Sequence, residues 1–201
     1  MENFINKPYL AGLVFAIFIS ACGKSGTDSQ KLDPKEQRFE LLDPAQTGVG
    51  FTNIIDENEH ANYLTLNHLY LGGAVGSGDF DRDGRPDLFF VSTTGQPKLY
   101  LNRGDFKFED ITEKCGIGSQ IPGLKTGIAI CDIDANGWPD IYLCRVGQKP
   151  EERGNLLFLN KGNAVFEESA AKVGLDTKCA STHAAFIDFD RDGDLDCYII
   201  N

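Results

Sequence analysis

The sequence lacks a long hydrophobic run, an excess of basic residues, and any paired-cysteine or paired-histidine motif. Its apolar N-terminal stretch, Pro8 to Gly23, has 16 uncharged residues, against the roughly 20 that a bilayer-spanning helix needs. Nineteen Lys and Arg face thirty Asp and Glu, a net charge of −11, which argues against sequence-independent binding to DNA or RNA, and no nucleic-acid partner is expected. Six cysteines occur without a CxxC spacing, which argues against a thiolate zinc site or a thioredoxin-like motif. His60, His68 and His183 are scattered with no HExxH pattern, so they are read as surface or core histidines. The glycine-rich "GGAVGSGD" does not fit GxGxxG, and "GKS" at Gly23 has Phe18 where a P-loop needs its first glycine. Neither is a phosphate cradle.

What is present begins with an export signal. Lys7 precedes the apolar stretch, Ser20 and Ala21 end it, and the polar "GKSGTDSQ" follows, the order of a secretory signal rather than of an anchor. "ISAC" resembles the lipobox of bacterial lipoproteins, which implies lipid on Cys22 and a bacterial cell-envelope location on the outer membrane. The expected organisation is a signal peptide over 1–21, a lipidated cysteine and polar tether over 22–45, and a folded domain over 46–201. Within the tether, "LDPKEQ" and "LDPAQT" place Pro after Asp and are expected to start short helices. Beyond Cys22 the cysteines are Cys115, Cys131, Cys144, Cys179 and Cys197. Three sit in apolar runs, where buried thiols are the plain reading, and no disulfide is assigned.

The folded part repeats. "GDFDRDGRPDLFFVS" from Gly78, "CDIDANGWPDIYLCR" from Cys131 and "IDFDRDGDLDCYIIN" from Ile187 align, and "LYLNRGDFKFEDIT" after the first matches "LFLNKGNAVFEES" after the second. Alternating apolar and polar positions with Asn/Gly turns indicate four strands per unit. Four-stranded units at a period of about 50 residues predict an all-β fold, a β-propeller, of which about two and a half blades are present. The third unit stops in its second strand at Asn201, so the reading expects the N-terminal part of a longer protein. Phe51 to Ile55 is expected as a further strand, either closing a final blade or leading the first.

Aligned on the first aspartate, the loops carry side-chain oxygens at positions 1, 3, 5 and 9: Asp79, Asp81, Asp83 and Asp87; Asp132, Asp134, Asn136 and Asp140; Asp188, Asp190, Asp192 and Asp196. Gly84, Gly137 and Gly193 occupy position 6, and the sharp turn a glycine permits would bring in the position-7 carbonyls of Arg85, Trp138 and Asp194. Nine of the eleven net negative charges fall in these 27 residues. Like charges a few ångströms apart repel by about a kcal/mol per pair even in water, so a cation is expected. Calcium, which takes six to eight oxygens, suits the set better than magnesium. Position 12 is Phe90, Leu143 or Ile199, which rules out an EF-hand. A single DxDxDG is as readily a tight turn. Three copies at matched places in a repeat point to one Ca²⁺ per loop.

The three acidic loops, with "KLYLNRGDFKFEDITEKCGI", "NLLFLNKGNAVFEESAAKVGL" and "ELLDPAQTGVGFTN", resemble FG-GAP/VCBS repeat proteins, and most closely bacterial outer-membrane lipoproteins that also carry an ASPIC/UnbV segment. The resemblance covers Phe39 to Asn201. It implies a propeller, often seven-bladed, with calcium at the outer loops held by the twelve side chains above. No ASPIC/UnbV segment occurs in this sequence. The functional expectation is a non-catalytic scaffold that binds protein or glycan and is tied to the outer membrane through Cys22. The alternative is the propeller of a larger polysaccharide-acting enzyme.

Overall fold

Segments with alternating polarity become strands, and the strands pair with their sequence neighbours. In a computed structural model, which describes residues 39–201 apart from 60, 61, 66, 71 and 119, the first unit runs β1 (Ala74–Gly78), β2 (Asp87–Val91), β3 (Lys98–Asn102) and β4 (Phe108–Asp110). The second runs β5 (Leu124–Cys131), β6 (Asp140–Val146), β7 (Leu156–Asn160) and β8 (Phe166–Glu168), and the third is the hairpin β9 (His183–Ile187) and β10 (Asp196–Ile200). Each four-stranded sheet is an antiparallel meander in chain order. The first strands of the three units, β1, β5 and β9, lie side by side. These three antiparallel sheets of four, four and two strands make a partial β-propeller, as the repeat predicts. The residues from Leu42 to Asn201 form one unit. Cys22, the export segment and "LDPKEQ" lie outside the described residues.

Packing between blades explains the hydrophobic pattern. Every residue of β6 is buried, because blade 1 covers one face and the β9–β10 hairpin the other. Ile141 and Leu143 join Phe80, Phe89, Val91, Leu99 and Phe158 between blades 1 and 2. Tyr142 and Cys144 point the other way, against Ala184, Phe186 and Ile199 of the hairpin. Strand β10, covered on one side only, is partly buried at every second residue. A β-carbon on Gly127 would fall 2.3 Å from the Thr182 carbonyl oxygen, so that glycine lets the third unit sit close against β5.

The β3–β4 and β7–β8 turns have positive φ at three consecutive residues, Gly104, Asp105 and Phe106, then Gly162, Asn163 and Ala164, and the last two of each are the left-handed pair that matches strand twist at a tight hairpin turn. The expected helix at "LDPAQT" is present as α1 (Pro44–Thr47), with the Asp43 carboxylate accepting the N–H of Ala45 at 2.9 Å. A second short helix, α2 (Ala170–Val173), follows β8.

The strand expected at Phe51–Ile55 does not form. Phe51 stacks on Phe90 with ring centroids 4.9 Å apart. The side-chain oxygen of Asn53, rather than a backbone group, accepts the Thr93 N–H at 3.0 Å and the Ser92 hydroxyl at 2.8 Å. The true repeat partner lies a few residues upstream. A β-carbon on Gly48 would meet the Phe108 carbonyl oxygen at 2.5 Å, and one on Gly116 would meet that of Phe166 at the same distance. Residues 43–49 therefore repeat the turn at 111–117 that seals the next blade, and a turn has no ladder to offer a neighbouring strand.

Candidate metal centres

Each acidic loop joins the first and second strands of its unit. The residue at position 4 has a left-handed backbone in all three, Arg82 at φ 55°, Ala135 at 55° and Arg191 at 65°, and the glycine at position 6 lies at 86°, 88° and 99°. Two left-handed residues so close together curl the chain and expose its N–H groups inward. The first aspartate takes them. Asp79 accepts from Asp83 N and Gly84 N, both at 3.0 Å, Asp132 from Asn136 N and Gly137 N at 3.0 and 2.8 Å, and Asp188 from Gly193 N at 3.3 Å.

The ninth-position aspartate pins the loop to the sheet. Asp87 is fully buried; its two oxygens accept the N–H groups of Phe80 and Asn102, each at 2.8 Å. Asp140 repeats this with Ile133 at 2.7 Å and Asn160 at 2.8 Å. Asp196 keeps only the first contact, Phe189 N at 2.9 Å, and is exposed. Burial pushes the Asp87 carboxyl up to about 6, against the pull of its two N–H donors and with a further push from Asp81 and Asp83. Asp140 is raised in the same way, by burial first.

Carboxylate oxygens of Asp79, Asp81 and Asp87 lie within 4.8 Å of one another, as do those of Asp132, Asp134 and Asp140, and of Asp188, Asp190 and Asp192. Two side-chain oxygens in these sets, Asp81 Oδ1 and Asp188 Oδ1, are buried with no hydrogen-bond partner. Polar atoms buried without a partner are rare and costly, and an anionic oxygen facing two other carboxylates is more so. These clusters could each hold a divalent cation, and oxygen-only donors fit a hard one such as calcium.

The position-5 side chains also make contacts within their own loops. Asp83 accepts Arg85 N at 2.9 Å and forms an ion pair with the Arg85 side chain. Asn136 turns its oxygen to Trp138 N at 2.8 Å and its amide to Asn160 O at 3.1 Å. Asp192 accepts Asp194 N at 3.2 Å. The hydrogen bond and charge of Asp192 hold the Asp194 carboxyl above its ordinary range, while Asp192 itself is lowered. Asp194, where the other loops carry Arg85 and Trp138, thus adds a further carboxyl to a loop whose aspartates have no ion pair among the described residues.

Several contributors went unassigned in the sequence. Arg103 reaches Asp81 at 3.2 Å and Glu109 at 2.8 Å, and Lys161 stands 4.0 Å from Asp134. Both follow the asparagine in the repeated "LNRG" and "LNKG", so the repeat carried the signal but only the hairpin's return beside the loop reveals the role. Arg82 of loop 1 lies 5.3 Å from the centre of the Trp138 ring in loop 2, a cation–π contact that ties adjacent loops. Residues 79–143, spanning the first loop to the middle of β6, match the family described as FG-GAP-like repeat. No curated protein matches the chain.

Proposed function

We propose that this chain is a calcium-stabilised, non-catalytic propeller scaffold, carried on the bacterial cell envelope by lipid on Cys22 and presenting its surface to a protein or glycan ligand. The observation that carries the metal reading is the buried, unpartnered Asp81 Oδ1 within a set of three mutually close carboxylates, repeated at Asp188. In this reading the aspartates at positions 1, 3 and 5 and the ninth-position carboxylate, with Asn136 replacing an aspartate in loop 2 and the carbonyls of Arg85, Trp138 and Asp194, surround one ion per loop. The ion cancels repulsion that otherwise splays the loop, and the loop in turn fixes the first two strands of its blade. The FG-GAP-like match supports the scaffold role, since such repeats are generally not catalytic.

The test uses the chain's single tryptophan. Trp138 lies in loop 2 and touches loop 1 through Arg82, so calcium titration is expected to change its fluorescence. Sites with affinities near 10⁻⁴ to 10⁻³ M, typical of extracellular modules, stabilise by roughly 0.4–1.4 kcal/mol each at about 1 mM calcium. The melting midpoint should therefore fall when a chelator is added. Unchanged fluorescence together with an unchanged midpoint would remove the metal. The lipid is tested separately: a Cys22→Ser chain should lose incorporation of a labelled fatty acid.

A further inference from the structure

The contact between Arg82 and Trp138 joins the parts of two adjacent loops that carry expected ligands. Arg82 is position 4 of loop 1 and stands between the ligand side chains of Asp81 and Asp83. Its guanidinium carbon lies 5.3 Å from the centre of the Trp138 ring. It also fills the space over position 6 of loop 2, where a β-carbon on Gly137 would fall 3.0 Å from Arg82 Nη1. Trp138, position 7 of loop 2, donates its N–H to Asn136 Oδ1 at 2.8 Å. Its ring rests on the β7–β8 turn, where a β-carbon on Gly162 would be 3.6 Å from Cε2 and Cζ2. One side chain of loop 1 therefore bears on residues 136–138 of loop 2, which hold a side-chain and a main-chain oxygen of the expected shell.

On their buried side the two loops are anchored in one frame. Phe80 O accepts the Asn160 amide at 2.9 Å, and Asn160 O accepts the Asn136 amide at 3.1 Å. That frame sets the spacing of the loops, and Arg82 is the link between their ligand-bearing stretches. Loops 2 and 3 cannot repeat this link. Position 4 of loop 2 is Ala135 and position 7 of loop 3 is Asp194, so neither a cation nor a ring is offered.

We infer that Arg82 couples the first two calcium sites: an ion in loop 1 raises the affinity of loop 2, the reverse holds by linkage, and loop 3 fills independently of loop 2. The inference rests on the metal reading proposed above. While loop 1 is empty its carboxylates repel one another, and the backbone that carries Arg82 keeps a freedom that the contact with Trp138 must remove. An ion in loop 1 removes that freedom beforehand, so ordering loop 2 then costs less entropy. The charge of Arg82 acts in the opposite sense, since a cation beside two cation sites weakens both. By field alone, its removal would tighten binding.

The experiment follows the three loops separately in an NMR calcium titration of the full chain. Gly84, Gly137 and Gly193 each donate their N–H to the first aspartate of their own loop, so each amide resonance reports its own site. D81N, in loop 1, is expected to raise the calcium midpoint of Gly137 by about two- to five-fold, the size of one exposed cation–π contact, and to leave Gly193 unmoved. D134N should raise the midpoint of Gly84 by the same factor. In an R82A background neither substitution should move the neighbouring loop, and R82A alone should raise the Gly137 midpoint rather than lower it. Alanine is accommodated at this left-handed position, as Ala135 shows in loop 2, so R82A keeps the fold. An unchanged Gly137 midpoint in D81N overturns the coupling while leaving the metal reading standing. So does a shift that persists in R82A, which would place the coupling in the buried frame, or one shared equally by Gly193, which would make it a general charge effect. Three amides that ignore calcium would remove the metal reading and the coupling with it.

Discussion

Asp87 and Asp196 occupy the same place in the repeat, yet one is sealed in the sheet and the other stands in water. Removing the Asp87 carboxylate leaves the N–H groups of Phe80 and Asn102 without acceptors, and unpaired buried donors cost about 1–3 kcal/mol each. D87A is therefore expected to lose roughly 2–5 kcal/mol in urea unfolding, and D196A under about 1 kcal/mol. Equal losses would mean that burial does not set the role of the ninth position. Lys125 shows the opposite charge under the same constraint. Its ammonium is buried and donates to the carbonyls of Thr94, Ile121 and Gly123 at 3.1–3.3 Å. Burial, with a smaller push from Arg145, lowers its pKa to about 8. Between that value and the ordinary 10.5 the unfolded chain holds the proton and the folded chain does not, so this residue's contribution to stability rises with pH across that window. The wild-type chain should gain roughly 3 kcal/mol of stability relative to K125M from pH 8 to pH 10.5, and a pH-independent difference would refute the assignment.

At the level of elements, the blades are held by close approach of their first strands. Gly127 lies where a methyl group would collide with the Thr182 backbone, and backbone cannot swing aside as a side chain can. G127A should cost about 2–4 kcal/mol through strain, felt first in the β9–β10 hairpin. Hydrogen exchange provides the measurement: amides of β9 and β10 should lose protection before those of β2 and β3. The acidic loops are elements of a different kind, since their curl comes from local left-handed residues and their rigidity from the sheet below. Loop 1 also borrows Arg103 from the neighbouring turn, and loop 2 Lys161. Loop 3 has no such partner among the described residues. It is therefore expected to respond most strongly to calcium, with D188N lowering the calcium-dependent midpoint shift more than D134N does.

Across the whole molecule, the same position in three repeats has three fates. Phe80 is locked between blades, Ile133 is partly buried against the hairpin, and Phe189 is exposed. F80A should destabilise the fold by about 3–5 kcal/mol, as large-to-small changes in a packed core do. F189A should leave the unfolding of the monomer unchanged within about 0.5 kcal/mol. A large loss in F189A would show that the third unit is packed more fully than its exposure indicates.

The sequence by itself determined the elements and their order. Alternation is a local property, so LFF, IYL and YII declare strands wherever they lie, and a carboxylate at every second residue before a glycine declares the loop. The repeat extended that legibility to blade architecture, because identical units that cannot bury both faces alone must stack. Only the tertiary structure decided what each copy of a motif packs against. It took Phe51–Ile55 out of the sheet by giving Asn53 a side-chain acceptor's role, and it matched residues 43–49 to a sealing turn. It also set Asp87 apart from Asp196, and Phe80 from Phe189. These differences arise from what lies across the interface, and burial, unlike strand propensity, belongs to no single stretch of chain.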